Sequence, residues 1–240
     1  MTVRRVVVLI ATGDHAARVI REAVRVASRF GVELEARFVE DEELLRLAGH
    51  SFARAIGTSG AARAFGAADL EREWRAVEAD VRVALERAAA QQKLRSRFEV
   101  RRARIRDALR VDPGDLVVVG WGGWSPRGRR RAPIRVLYDG SESAERALDA
   151  GARLAGEHGV LAVWVVGADD AAVEAMQDRL TDWVGHHRVA PIQEPSVAAV
   201  RHILAAQPGG LLIVPTGSAI ADALVTTEDA RFPAGVLVVH

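Results

Sequence analysis

Apolar residues along the chain fall into short continuous blocks, and the stretches between those blocks have helical period. Arg5 to Ala11 (RVVVLIA) reads as a strand covered on both faces. Thr12-Gly13-Asp14 turns it into a helix from His15 to Phe30, with Ala16, Ile20, Ala23, Ala27 and Phe30 inward and Arg18, Arg21, Glu22, Arg25 and Arg29 outward. Gly31 ends that helix, and Val32 to Val39 alternates as a second strand. Glu40 to Gly66 is irregular, with a short helical stretch around Leu44 to Ala48 and then the loop Gly57-Thr58-Ser59-Gly60. We expect it to lie over the strand ends as a mobile cover. From Ala68 to Gln91, Leu70, Trp74, Val77, Val81, Ala84 and Ala88 recur in steps of four and three, which resembles a heptad seam; fewer than four heptads, ending in alanines, more often mean a helix lying on a sheet, and that is the reading taken. Phe98 to Arg102 is a weak third strand. Leu116 to Val119, introduced by the turn Asp112-Pro113-Gly114, is a strong fourth.

The second half repeats this plan. Ile134 to Tyr138 (IRVLY) leads through Asp139-Gly140-Ser141 into a helix from Glu142 to Gly156, followed by the strand Val160 to Val166. A helix from Ala168 to His186 is expected next, then a short strand at Val189 to Ile192, a helix from Ser196 to Ala206, the strand Leu211 to Val214, a short helix after Gly217, and a last strand from Gly235 to Val239. Such alternation predicts a parallel sheet with right-handed, helix-covered crossovers. Two copies of one strand-to-helix opening argue for duplication, with residues 1–124 and 133–240 as the units and 125–132 as an Arg-, Pro- and Gly-rich linker. The first unit lacks room for a last helix and strand. Its fourth strand would then be a bare edge, so Val236 to Val239 are expected beside Val117 to Val119 at a contact between the halves, with Trp121 or Trp124 nearby.

Composition narrows the chemistry. The 240 residues are 49% hydrophobic and carry a net charge of +1. No field steers nucleic acid to the whole molecule, and no apolar run approaches the roughly 20 residues of a membrane span. A cytoplasmic protein with no nucleic-acid or membrane partner is expected. The absence of cysteine excludes disulfides, thiolate metal sites and thiol nucleophiles. Nearly all cations are arginine, so an individual arginine says little about phosphate.

The stretch Val136-Leu-Tyr-Asp-Gly-Ser-Glu-Ser-Ala-Glu-Arg-Ala-Leu148 resembles the universal stress protein family, whose first strand ends in Asp-Gly-Ser before a helix of this pattern. Asp115-Leu-Val-Val-Val-Gly120 looks like the family's fourth strand. The resemblance implies two flavodoxin-like (adenine nucleotide alpha hydrolase-like) parallel-sheet domains in tandem, joined as an intramolecular pseudo-dimer that can dimerise further. It also implies a regulatory or stress-response role, with ATP or AMP bound where strands one and four end side by side. ATP-binding members carry an acid after strand one and a Gly-x2-Gly-x9-Gly-Ser/Thr run after strand four. Here Asp139 supplies the acid in the second half, but Pro215-Thr216-Gly217-Ser218 lacks the later glycines. In the first half Gly120-Trp121-Gly122-Gly123 supplies the Gly-x2-Gly, while Thr12 replaces the acid. The nucleotide candidates are therefore Asp139, Gly140, Ser141, Thr216, Gly217 and Ser218 in the second half, and Thr12, Gly13, Gly120 and Gly123 in the first. Arg127 and Arg129 to Arg131 are a basic linker able to pair with phosphate.

No metal is expected. Asp182 and His186, one helical turn apart with His187 adjacent, have no third ligand in view and read as a helix-end cation beside a carboxylate. Asp14-His15 and Ser218 sit in no nucleophile setting, and no catalytic residue is assigned. The alternatives are a protein-interaction module that binds no nucleotide, acting through a partner the sequence does not name, and a weak ATP hydrolase.

Overall fold

The fold is taken from a computed structural model that describes residues 2–11, 13, 16–56, 62–119, 133–182, 186–206, 209–226 and 234–240. The first part of the chain forms β1 (Arg5–Ile10), α1 (Ala16–Phe30), β2 (Glu33–Asp41), α2 (Glu42–Ala48), β3 (Arg54–Ile56), β4 (Ala62–Ala64), α3 (Ala67–Gln91), β5 (Ser96–Ala103), α4 (Ile105–Ala108) and β6 (Asp115–Val119). The second part forms β7 (Ile134–Tyr138), α5 (Glu142–Ala155), β8 (Val160–Val166), α6 (Asp170–Thr181), β9 (His186–Ile192), α7 (Val197–Ala206), β10 (Leu211–Pro215), α8 (Ala219–Thr226) and β11 (Gly235–Val239).

Nine strands make one sheet in the order β5-β2-β1-β6-β11-β10-β7-β8-β9. The outer four on each side wind alike. β5-β2-β1-β6 is third, second, first and fourth strand of the first half, and β9-β8-β7-β10 is the same sequence of positions in the second. Within this sheet every pairing inside a half is parallel. The two halves meet through one antiparallel pair, with Val236 opposite Val119, Leu237 opposite Val118 and Val238 opposite Val117. The fifth strand of the second half thus covers the edge that the first half leaves bare, as the sequence led us to expect.

Each strand is apolar along its length because both faces are covered. On one face Val6, Val8, Ile10, Val118, Val136, Val163 and Ile213 pack under α1, α3, α5 and α6. On the other, Val7, Leu9, Val117, Leu137, Leu212 and Val214 pack with Leu109, Val200, Leu204 and Ile220. The seam is reinforced on both faces. Arg29 of α1 donates from Nε to the Arg153 carbonyl of α5 at 2.7 Å, the Arg153 guanidinium lies 5.0 Å from the Phe30 ring centre, and α4 touches α8. In α3, Leu70, Trp74, Val81, Leu85 and Ala89 are buried, so the helix lies on the sheet.

Two sequence expectations are corrected. The region after α2 is no plain loop: Arg54–Ile56 and Ala62–Ala64 pair as an antiparallel hairpin, and residues 57–61 between them lie outside the described residues. Helix α6 ends at Thr181, with Asp182 as its C-cap, and His186 opens β9. Asp182 and His186 are therefore not one helical turn apart, because polar His186-His187-Arg188 belongs to a sheet edge. The candidates Thr12, Gly120 and Gly123, together with Asp14, His15, Trp121, Trp124 and the linker arginines, lie outside the described residues.

Candidate functional site

At the carboxyl ends of β7 and β10 the backbone makes two tight turns, each through a glycine that no other residue replaces without strain. Gly140 has φ +80° and Gly217 has φ +76°, and an added Cβ at either position would meet nothing within 4 Å. The turns thus leave open space at the backbone. In the first turn the Asp139 carboxylate accepts the Ser141 N–H at 3.0 Å, and Ser141 caps α5 by accepting the Ala144 N–H at 3.1 Å. In the second, Ser218 Oγ donates to the Pro215 carbonyl at 2.8 Å and accepts the Ala221 N–H at 3.2 Å, which starts α8.

Tertiary hydrogen bonds tie the two turns together. Ser143 Oγ donates to the Thr216 carbonyl at 3.2 Å and shares a 3.0 Å contact with Ser141 Oγ, while the Thr216 N–H donates to the Val239 carbonyl at 2.8 Å. Asp139, Gly140 and Ser141 are thereby brought beside Thr216, Gly217 and Ser218, at the switch point where ligands of open α/β sheets settle. Both helix amino termini end at this mouth, which favours an anion. Ser141 and Ser218 already occupy one amide of each helix, so the anion would have fewer backbone donors than an uncapped loop offers. Ser218 Oγ is buried and doubly engaged, and among the described residues neither of its hydrogen-bond partners is a base that could activate it.

Below the first turn stands a polar clamp. Glu145 of α5 accepts from Arg179 of α6 at 2.9 and 2.5 Å and also from the Tyr138 hydroxyl at the end of β7. Chiefly because of Arg179, the Glu145 carboxyl is held down to about 2, and the Arg179 guanidinium is raised in turn by that same bond. The Tyr138 phenol is pushed up, first by burial and then by its bond to Glu145. The clamp fixes the strand end that carries Asp139.

A second group borders the mouth at the seam. Because β11 runs antiparallel to β6, His240 falls beside Asp115, the first residue of β6. Burial lowers the His240 pKa; Asp115 opposes that shift and Arg146 adds to it. Asp115 is fully buried, and its Oδ2 accepts from Arg5 Nε at 2.7 Å. Its Oδ1 has no hydrogen-bond partner among the described residues, nor has the buried Nε of Arg146. Sequence reasoning missed Ser143, Arg146 and His240. Only the spacing of Ser143 and Arg146, three positions apart on one face of α5, could have pointed to them.

The first-half candidates assemble less completely. Gly13 is packed against α3, and an added Cβ would stand 3.0 Å from Val77 Cγ2. Close packing accounts for that glycine. Among the described residues no group of three His, Asp or Glu is placed to hold a metal ion.

No family model matches the sequence, and no curated protein matches it. Among solved structures the chain is similar to a universal stress protein from Archaeoglobus fulgidus DSM 4304, at 13% identity and a TM-score of 0.59, over 98% of this chain and 95% of that one. At that identity the likeness is one of architecture, and it spans both halves: the chain has the fold of a universal stress protein.

Proposed function

We propose that the chain is a tandem, universal-stress-type regulatory protein of the cytoplasm that binds an adenine nucleotide weakly at its second switch point and acts through a protein partner. The observation that carries this reading is the bond from Ser143 to Thr216, which joins the Asp139-Gly140-Ser141 turn to the Thr216-Gly217-Ser218 turn and leaves open space at both glycines. Asp139 is exposed at the mouth and suits a ribose hydroxyl; the helix amino termini suit a phosphate. Weakness follows from the serine caps and from the missing later glycines, which leave few free amides for a triphosphate. AMP is favoured over ATP for that reason.

Equilibrium binding of AMP and ATP to the purified protein, with and without magnesium, tests this reading. Saturable binding that Asp139→Ala weakens by roughly tenfold supports it. Absence of binding leaves the protein-interaction module, and phosphate release at a steady catalytic rate would make the chain an ATP hydrolase.

A further inference from the structure

His240 stands where the two halves meet, just past the end of β11 and beside the second mouth. The antiparallel register that sets Val239 opposite Leu116 brings the next residue, His240, beside Asp115. Asp115 alternates with Val117 and Val119, and His240 with Val236 and Val238, so both side chains belong to the same face of the sheet. Directly opposed residues of an antiparallel pair have Cβ atoms about 4.5–5.5 Å apart, within reach of an imidazole ring. Helix α5 also packs on β11, and its Arg146 is close enough to act on the charge of His240. The Thr216 N–H bond to the Val239 carbonyl and the Ser143 bond to Thr216 fix this corner of the mouth.

Each of these two neighbours keeps one buried polar atom without a partner. Asp115 is fully buried; its Oδ2 accepts from Arg5, while its Oδ1 accepts nothing among the described residues. Arg146 gives Nη1 to Glu142, while its buried Nε–H donates to nothing among the described residues. One missing donor and one missing acceptor are what a neutral imidazole supplies, since it carries one N–H and one bare nitrogen. Buried polar atoms left unpaired destabilise a fold, so both atoms favour a ring that serves them together. A protonated imidazole carries two donors and no acceptor. It would still suit Asp115, but it leaves Arg146 Nε unserved and sets two cations side by side.

We propose that neutral His240 is an acid-sensitive latch between the halves: it donates to Asp115 Oδ1 and accepts from Arg146 Nε, and so ties the helix that opens the second mouth to the base of the first half. The structure shows the latch open, and closing it turns the His240 side chain at the strand end, outside the β11–β6 ladder. The charges around the ring are Asp115 of β6, backed by Arg5 of β1, and Arg146 of α5, backed by Glu142; among the described residues no other charge acts on it. Neither neighbour brings a full net charge, so burial decides and holds the His240 pKa below the ordinary 6.5. The sign of the acid effect follows. The folded state prefers the neutral ring, so the stabilisation is fully present above pH 6.5 and is lost as pH falls below it. Release would loosen α5 at Ser141 and Ser143, the residues that shape the mouth.

NMR titration of the His240 ring nitrogens in the full chain, with urea denaturation between pH 5 and 8, tests the proposal without any nucleotide. His240 should titrate below 6.5 and hold a single tautomer above that pH. His240→Gln keeps one donor and one acceptor but cannot titrate, so it should match the parent at pH 8; at pH 5 the parent's folding constant should fall roughly threefold or more below that of the variant. His240→Leu can do neither and should lie below His240→Gln by the same margin at every pH. Arg146→Leu removes both the opposing cation and the donor that needs the bare nitrogen, so His240 should then titrate higher, paired with Asp115 alone. Two residues appended after His240 carry any terminal carboxylate away from the ring and should leave its titration in place. Four results overturn the proposal: a His240 that titrates at or above 6.5, Gln and Leu variants of equal stability throughout, a titration unmoved by Arg146→Leu, or one that follows the appended residues. Should His240→Gln fail to fold, the titrations of the parent and of Arg146→Leu decide.

Discussion

Val239, at the end of β11, stands directly opposite Leu116 of β6 in an antiparallel register, and this strand pair closes a nine-stranded sheet whose other pairings are all parallel. The reversal has a geometric consequence: the carboxyl ends of β1 and β6 point to one end of the sheet, and those of β7 and β10 point to the other. The two switch points face apart, and the base of the first half, marked by Arg5 and Asp115, adjoins the mouth of the second.

Because one strand serves both cores, the halves should unfold together. Leu237 is fully buried opposite Val118, so Leu237→Ala should cost about 2–5 kcal/mol. Amide exchange of Val8 in the first half and Val163 in the second should accelerate by the same factor. Removal of the last five residues, 236–240, should bring aggregation as well, by uncovering β6. Unchanged protection at Val8 would mean that the first half stands alone.

Strands buried on both faces were legible because an unbroken apolar block such as Leu116 to Val119 admits few other readings. The start of β9 carries no strand signal in the sequence because it is an edge strand: His186-His187-Arg188 and Pro191 suit solvent and a free edge, and they have no apolar period. The hairpin was illegible because Ala62-Arg63-Ala64 has neither β-branched residues nor alternating large ones. At the site, Asp139-Gly140-Ser141 was visible as a local turn. Ser143 was not, because its bond to Thr216 spans 73 residues and depends on how α5 lies across the sheet.

Glu22 of α1 should make stability fall as pH rises. Burial pushes its carboxyl from an ordinary 4.5 up to about 7, against the pull of Arg25, Arg18 and Arg21. The folded state therefore prefers the neutral acid, a preference fully present below pH 4.5 and lost as pH climbs through about 7. Glu22→Gln should match the parent near pH 4 and exceed it by about 1–3 kcal/mol above pH 7. Urea denaturation at pH 4, 6 and 8 would show the two curves diverging; parallel curves would sink the prediction.

Glu145 should act in the opposite sense. Its carboxyl is lowered from 4.5 to about 2, foremost by Arg179, so its contribution is present above pH 4.5 and fades as pH falls towards about 2. Both partners are partly exposed, at 40% and 43% of the side chain, and solvent screening reduces the effect to about 0.5–1 kcal/mol. Glu145→Gln should cost that amount at pH 7 and nothing near pH 2, measured by thermal melts across the range. The same variant frees Tyr138 and so should loosen the Asp139 turn, seen as faster exchange of the Ser141 amide.

Gly151 tests how closely α5 must approach the sheet. A glycine in the interior of an exposed helix normally costs about 1 kcal/mol relative to alanine, so Gly151→Ala would stabilise a freely placed helix. Here an added Cβ would stand 2.5 Å from Val136 Cγ2, 3.2 Å from Leu161 Cδ1 and 3.5 Å from Ile213 Cδ1. Val136 and Ile213 are fully buried and Leu161 nearly so, and the stiff Val136 side chain cannot swing away within the sheet. Overpacking of this kind costs about 1–3 kcal/mol and outweighs the propensity gain. Gly151→Ala should therefore lower the urea midpoint. Val136→Ala alone should also destabilise, by leaving a cavity, yet the double variant should be more stable than the two single losses added together, because the new methyl fills the space that Val136 vacates. Simple additivity would show that α5 has shifted outward, and the Ser143 bond to Thr216 would then break with it, exposing the Ser141 and Ala144 amides to exchange.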